Sequence, residues 1–371
     1  MGKTKQQATS TSISYFKGID VLRFICATGV IFHHCTLILR DKGFATKAEA
    51  LHRYSGAFFL DVFFIISGFL ISLILIQEYK LGTFTLKNFY ARRIIRIWPL
   101  YFLVVLVKVI IIPLANHYPW EFLKESVMYA CSFTVNYQLI FSTVEPEYTI
   151  LWSVCIEEHI YLLLPLLLFI FKGKFKTIGW VLVVAGFLSW FYFKGIPAAS
   201  GLNTPYFVST SYFYYFGIGT LIACAHNAGL KLKALFIPLA QLAIMFVMVL
   251  VVFNIVPYNY SMGQNLIITG LFGGYLVWAA AQQEFVIRLN VPVSKYLGNI
   301  SFSMYMIHIM IATLIIKAFK HSDVKFSEGL CGWGIPVAVL LITMAISTLL
   351  YYCFEGPILK LKKRFTTVGS K

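Results

Sequence analysis

The chain has 371 residues, 59% of them hydrophobic and only 12% charged, and its mean hydropathy is +0.78. That composition excludes an ordinary soluble globular domain and points to a polytopic membrane protein. The formal charge of +16 resides in short connectors and at the C-terminal end rather than in one patch, so it argues for membrane topology and against a nucleic-acid partner.

Taken in chain order, hydropathy predicts an all-α fold of about ten transmembrane helices, at 19–39, 56–77, 94–115, 151–171, 178–194, 207–225, 234–253, 264–281, 300–319 and 333–353. Connectors rich in Lys and Arg, such as Lys172, Lys174 and Lys176, set both termini in the cytoplasm. Residues 1–18 then form a cytoplasmic N-terminal segment, 19–357 a single membrane domain, and 358–371 a basic cytoplasmic tail. The first apolar run has no small-residue cleavage site after it and reads as an uncleaved signal anchor. The stretch 116–150, with Glu121, Lys124, Glu125, Asn136, Gln138, Glu145 and Glu147, reads as an outside loop with interfacial or re-entrant structure. Seven cysteines form no CxxC and no metal-ligand spacing, so no metal site is expected. Cys26, Cys35, Cys155, Cys224 and Cys353 fall in spans, and Cys131 and Cys331 are expected to face outward.

Ionisable residues inside apolar helices cost roughly 2.5 to 3.5 kcal/mol each on insertion scales and therefore mark interior paths or sites. The first span, IDVLRFICATGVIFHHC, holds Asp20, Arg23 and His34. His34 follows Arg23 by eleven positions, which places both on one helix face roughly 16 Å apart. Asp20 and Arg23 could equally be a packed ion pair; His34, without a local partner, leans to chemistry, and His33 points elsewhere as a packing residue. The second span carries Asp61, then Ser67 and Gly68, a small pair that commonly serves helix packing. The next connector and third span contain Arg93 and Arg96 on one face, an RxxR pair suited to phosphate, although basic residues beside a span also set orientation. The fourth span, LWSVCIEEHIYLLLP, sets Ser153, Glu157 and Tyr161 on one face, and Glu157 reads as a base, an orienting carboxylate or a counter-ion. The ninth, LGNISFSMYMIHIM, sets Ser301, Tyr305 and His308 on one side, with His308 either a site residue or a satisfied core histidine. Glu355 stands just before the basic tail.

Together these segments resemble acyltransferase family 3, integral membrane proteins that acylate cell-envelope sugars and some small acceptors. The resemblance runs from about residue 19 to 357. It rests on Arg23 and His34 at Arg-x10-His spacing, on Asp61 with SGF, on ARRIIRIWPLY, on the Trp, Ser, Glu and Tyr pattern of LWSVCIEEHIYLLLP, and on LGNISFSMYMIHI and FEGP. The departures are Cys155 where Ser is common, His159 where Gln is common, Phe302 where Tyr is common and Ile307 where an aromatic is common.

The resemblance implies a membrane O-acyltransferase without a permanently bound cofactor. It would move an acyl group, in the first instance acetyl, from cytosolic acyl-CoA to a hydroxyl of a polysaccharide or lipid-linked sugar in a bacterial inner membrane. His34, Arg23, Asp61 and Glu157 would carry the chemistry, with His34 as base or acyl carrier, and Arg93 and Arg96 would hold the donor phosphates. Asp20, Ser67, Ser153, Tyr161, Tyr305, His308 and Glu355 would support them. Some relatives carry a further hydrolase-like domain, so transfer is expected to be completed either by the membrane unit or by a separate outer-face partner. The rival functions are acylation of a small hydrophobic alcohol such as an antibiotic and, in another class, an ion-coupled transporter or flippase with His, Asp and Glu as a proton relay.

Overall fold

The computed structural model describes residues 15–44, 47–142, 150–199, 203–231, 237–253, 255, 262–282, 291–320 and 327–366. Glu145, Glu147 and most of the predicted N-terminal segment lie outside them. Among the described residues the chain is helical throughout, with no strand beyond one isolated bridge between Pro197 and Asn203.

Fourteen α-helices follow in order among the described residues. They are α1 Lys17–Asp41, α2 Lys47–Lys80, α3 Leu86–Val105, α4 Ile112–Ala115, α5 Trp120–Cys131, α6 Val135–Phe141 and α7 Leu151–Ile170. The second half has α8 Phe175–Phe193, α9 Phe213–Asn227, α10 Pro238–Val252, α11 Met262–Gln282, α12 Ser294–Lys320, α13 Ile335–Leu350 and α14 Gly356–Lys360. Seven stretches among the described residues are long and apolar enough to cross a bilayer: Lys17–Asp41, Ser55–Lys80, Leu86–Ala115, Leu151–Ile170, Phe175–Phe193, Ser294–Phe319 and Leu330–Phe365. The other three predicted spans, 207–225, 234–253 and 264–281, coincide with α9, α10 and α11. Of these, α9 and α10 have 15 residues each, and the described apolar run of α11 begins at Leu266. Within the predicted 116–150 loop the described residues form α5 and α6, with Asn136 and Gln138 of α6 fully buried.

Among the described residues three π-turns interrupt the long apolar stretches, at Leu106–Ile111, Leu330–Gly334 and Tyr351–Glu355. Each ends two residues before a proline, Pro113, Pro336 and Pro357. Proline lacks the N–H and its ring crowds the carbonyl four residues back, and a widened turn accommodates that defect without ending the helix.

The core is formed by α1 between α2 and α12, with α2 also against α9 and α11, and α8 against α9. Gly68 and Gly219 make the α2–α9 approach possible. A Cβ on Gly68 would lie 2.5 Å from the Phe216 carbonyl oxygen, and one on Gly219 would lie 2.2 Å from that of Ile65. The outward faces remain apolar, with Leu239 and Phe246 of α10, Leu188 and Tyr192 of α8 and Leu349 of α13 exposed, as lipid-facing surfaces require.

Cys331 is 2% exposed within the π-turn before α13, whereas Cys131 is exposed. The segment expected as a basic tail, 358–371, is described through residue 366. It continues as α14 and a 3-10 turn, Leu361–Phe365, which returns to α3, where the Arg92 guanidinium donates to the Phe365 carbonyl at 2.7 Å. The same guanidinium pairs with Glu78 at 2.8 Å, the two side chains being 3% and 2% exposed, so a buried ion pair fastens the chain end to the bundle.

Candidate active site

Two cavities meet inside the bundle. The first, about 240 Å³, is lined by Arg23 of α1, Leu60 and Ser67 of α2, Arg93 and Arg96 of α3, Ser153, Glu157 and Tyr161 of α7, Ser301 and Tyr305 of α12, and Lys362 of the C-terminal turn. The second, about 270 Å³, is lined by His33 and His34 of α1, Asp61 of α2, Trp152 of α7, and Tyr206, Tyr212 and Tyr305. Leu60 and Tyr305 line both, so these two side chains form the partition.

The arginine-lined cavity is ordered by α7. Three residues spaced four apart, Ser153, Glu157 and Tyr161, all face it, as helical periodicity predicts. Ser67 donates to Glu157 at 2.7 Å and Tyr161 donates at 3.3 Å, while the Arg93 guanidinium lies 5.6 Å from the centre of the Tyr161 ring. The small pair of α2 therefore divides its labour, Gly68 for helix contact and Ser67 for Glu157. Ser153 and Tyr305 share a 2.5 Å hydroxyl hydrogen bond. Ser153 also lies 3.2 Å from the Ile150 carbonyl, to which only it can donate, so Tyr305 supplies the proton between the two hydroxyls.

Asp20 and Glu355 line neither cavity. Asp20 sits 4.0 Å from Arg23, at the limit of an ion pair, and accepts from Tyr15, while Glu355 accepts from Ser303. Tyr15 lies before α1, and its hydroxyl is pushed up from the ordinary phenol value first by burial and then by that bond to Asp20.

In the histidine-lined cavity, His34 finds a partner 274 positions away: its Nδ1 is 2.8 Å from Nε2 of His308. His308 lines neither cavity and is fully buried behind His34. Its Nδ1 lies 2.7 Å from the Tyr305 carbonyl and 3.2 Å from that of Met304. A carbonyl can only accept, so His308 Nδ1 carries the hydrogen and its Nε2 is left as acceptor. His34 Nδ1 must then be the donor, and His34 Nε2 keeps the lone pair. One backbone turn of α12 thus selects the tautomer of a histidine on α1.

Asp61 lies buried in the same cavity and accepts a hydrogen bond from Tyr215. Tyr206, in the short turn before α9, is pushed up to about 12, chiefly by burial and secondarily by the Asp61 charge. Residues that sequence reasoning set aside also line this wall. His33, expected to pack elsewhere, lines the cavity with its ring centre 5.3 Å from that of His34 and its ring against Gly56, where α2 closely approaches α1. Trp152, Tyr206 and Tyr212 join it, and Lys362 joins the arginine-lined cavity. Trp152 sits in a motif already singled out; the other three have no sequence signal beyond their residue type. Among the described residues no group of three or more His, Cys, Asp or Glu is arranged to hold a metal ion.

This arrangement places a cationic chamber and a histidine bearing a free lone pair on opposite sides of a two-residue partition, across helices drawn from most of the chain. The family model for the acyltransferase domain of acyltransferase family 3 matches residues 16–352. The chain belongs to that family. It is a multi-pass membrane acyltransferase. An uncharacterised protein of Haemophilus influenzae is 31% identical over 194 residues, which are 47% of this chain and 77% of that protein. A Staphylococcus aureus protein named as a candidate O-acetyltransferase is 29% identical over 204 residues, and the O-acetyltransferase OatA of the same species is 28% identical over 170. Those matches cover 51% and 44% of this chain but only 30% and 26% of the two staphylococcal proteins. No solved structure matches the chain.

Proposed function

We propose that this acyltransferase moves an acyl group, acetyl in the simplest case, from cytosolic acyl-CoA to a hydroxyl of an envelope polysaccharide or lipid-linked sugar in a bacterial inner membrane. The observation that carries this reading is the pair of unlike cavities sharing Leu60 and Tyr305. Arg23, Arg93 and Arg96 offer forked donors to the phosphates of the donor, and its pantetheine arm extends toward the partition. The aromatic residues and Asp61 of the second cavity suit a hydroxyl-rich acceptor.

His34 acts as general base. Its Nε2 takes the acceptor proton, the oxygen attacks the thioester carbon, and the C–S bond breaks as the C–O bond forms. The proton held on His34 then passes to the departing thiolate, which leaves as CoA. Between those events His34 is an imidazolium whose Nδ1–H still points at the His308 lone pair, so no rearrangement is needed to stabilise the charge. His34 lies on the acceptor side of the partition, and that placement favours the base over an acyl carrier.

Mass spectrometry of envelope glycans from cells with the wild-type protein, with His34→Ala and without the protein tests the reading. The expected result is one acyl mass increment that is present only with the wild type, with the variant at normal abundance in membranes. An increment that survives in His34→Ala would refute the base, and unchanged glycans with acylation of a small alcohol would refute the acceptor class.

A further inference from the structure

We infer that Lys362 is a donor-phosphate ligand and that the C-terminal 3-10 turn is a wall of the donor site; this rests on the acyl-CoA reading above. Lys362 stands in a run of basic residues, Lys360, Lys362, Lys363 and Arg364, whose composition alone suggests a solvated topogenic tail. The structure separates them. Lys360, Lys363 and Arg364 are exposed, whereas Lys362 is half-buried and lines the same cavity as Arg23, Arg93 and Arg96.

That placement is enforced. Arg92 holds the Phe365 carbonyl at 2.7 Å and Glu78 at 2.8 Å, so the turn is fastened three residues beyond Lys362. Among the described residues, four cations and one carboxylate, Glu157, line the chamber, and Glu157 already accepts from Ser67 and Tyr161. The nearby Glu355 accepts from Ser303, and Asp20 accepts from Tyr15 and lies 4.0 Å from Arg23, at the limit of an ion pair. Like charges gathered in a partly desolvated space repel strongly unless an anion joins them. A ligand with several phosphates in one molecule, as CoA has in its diphosphate and its 3′-phosphate, supplies several anionic groups to these cations at once. A chamber built for a single acidic group would have no use for the fourth cation.

Purified full-length protein in phosphatidylcholine nanodiscs, titrated calorimetrically with CoA and with pantetheine, which lacks every phosphate, tests the assignment. Lys362→Gln should raise the Kd for CoA about tenfold, a typical consequence of removing one charge-assisted contact, and leave that for pantetheine unchanged. Lys362→Arg should stay within about twofold of wild type, and Lys363→Gln, one position along and exposed, should behave as wild type. Lys362→Met, which keeps the apolar stem, repeats the test if the glutamine variant has a lowered thermal midpoint.

Equal CoA affinity in wild type and Lys362→Gln overturns the assignment, as does equal weakening by Lys363→Gln, which would mean diffuse charge. If the phosphate belongs instead to a lipid headgroup, Lys362→Gln loses bound phosphatidylglycerol in native mass spectrometry and keeps its CoA affinity, which also overturns it. A wild type that binds CoA no better than pantetheine overturns the donor reading itself, a separate result.

Discussion

Replacing His308 by Ala tests whether the α12 backbone controls the chemistry of His34. The substitution removes the acceptor 2.8 Å from His34 Nδ1 without touching the lining of either cavity. Two losses follow. In the ground state a neutral hydrogen bond worth about 0.5 to 1.5 kcal/mol disappears, whereas in the transition state the bond lost is one to a developing imidazolium, worth about 1.5 to 3 kcal/mol. The difference, about 1 to 2 kcal/mol, corresponds to a fall in kcat of roughly five- to thirtyfold. Freed from its partner, His34 can also place its hydrogen on Nε2 and lose the base outright, which pushes the fall toward the upper end. KM for acyl-CoA should stay within about twofold, because the cationic chamber is intact. His308→Gln should recover part of the rate, since one amide can donate to the Tyr305 carbonyl and accept from His34. The assay is acyl-CoA-dependent release of free thiol in the presence of acceptor, on protein whose thermal midpoint is measured in parallel. An unchanged kcat in His308→Ala, or a loss expressed entirely in KM for acyl-CoA, would refute the tautomer argument.

Two further outcomes are expected from the partition and from the chain-end clasp. Tyr305→Ala should join the two cavities and raise acceptor-independent hydrolysis of acyl-CoA roughly fivefold while transfer falls, whereas Tyr305→Phe, which loses only the hydroxyl bonded to Ser153, should keep the partition; thiol release without acceptor separates them. Arg92→Ala should cost about 3 to 5 kcal/mol because it strips the guanidinium from buried Glu78 and from the Phe365 carbonyl; thermal unfolding in detergent measures it, and a midpoint unchanged from wild type would mean the clasp is not structural.

Sequence alone settled whatever depends on local periodicity and solvent preference. Apolar runs of membrane length gave the helical class, and residues spaced four apart gave the shared face of Ser153, Glu157 and Tyr161 that the structure turns to one cavity. The ordered motifs, read as a resemblance, pointed to the family to which the chain belongs. Periodicity was less informative where helices are short, as in α9 and α10 of 15 residues each, so ten predicted spans meet seven stretches of full length among the described residues.

Only the tertiary structure decided which side chains meet. His34 and His308 are 274 positions apart, and helix arithmetic fixes the direction of each on its own axis but not which helices pack together. The same reason hid Lys362: in sequence it is one of a run of basic residues, and only the return of the last turn onto Arg92 separates it from its exposed neighbours. His33 was misassigned because direction on a helix was taken to mean direction away from the site. The cavity is wide enough, between α1 and α2, to be lined by two adjacent histidines, and the width of a space between helices is a property of their packing.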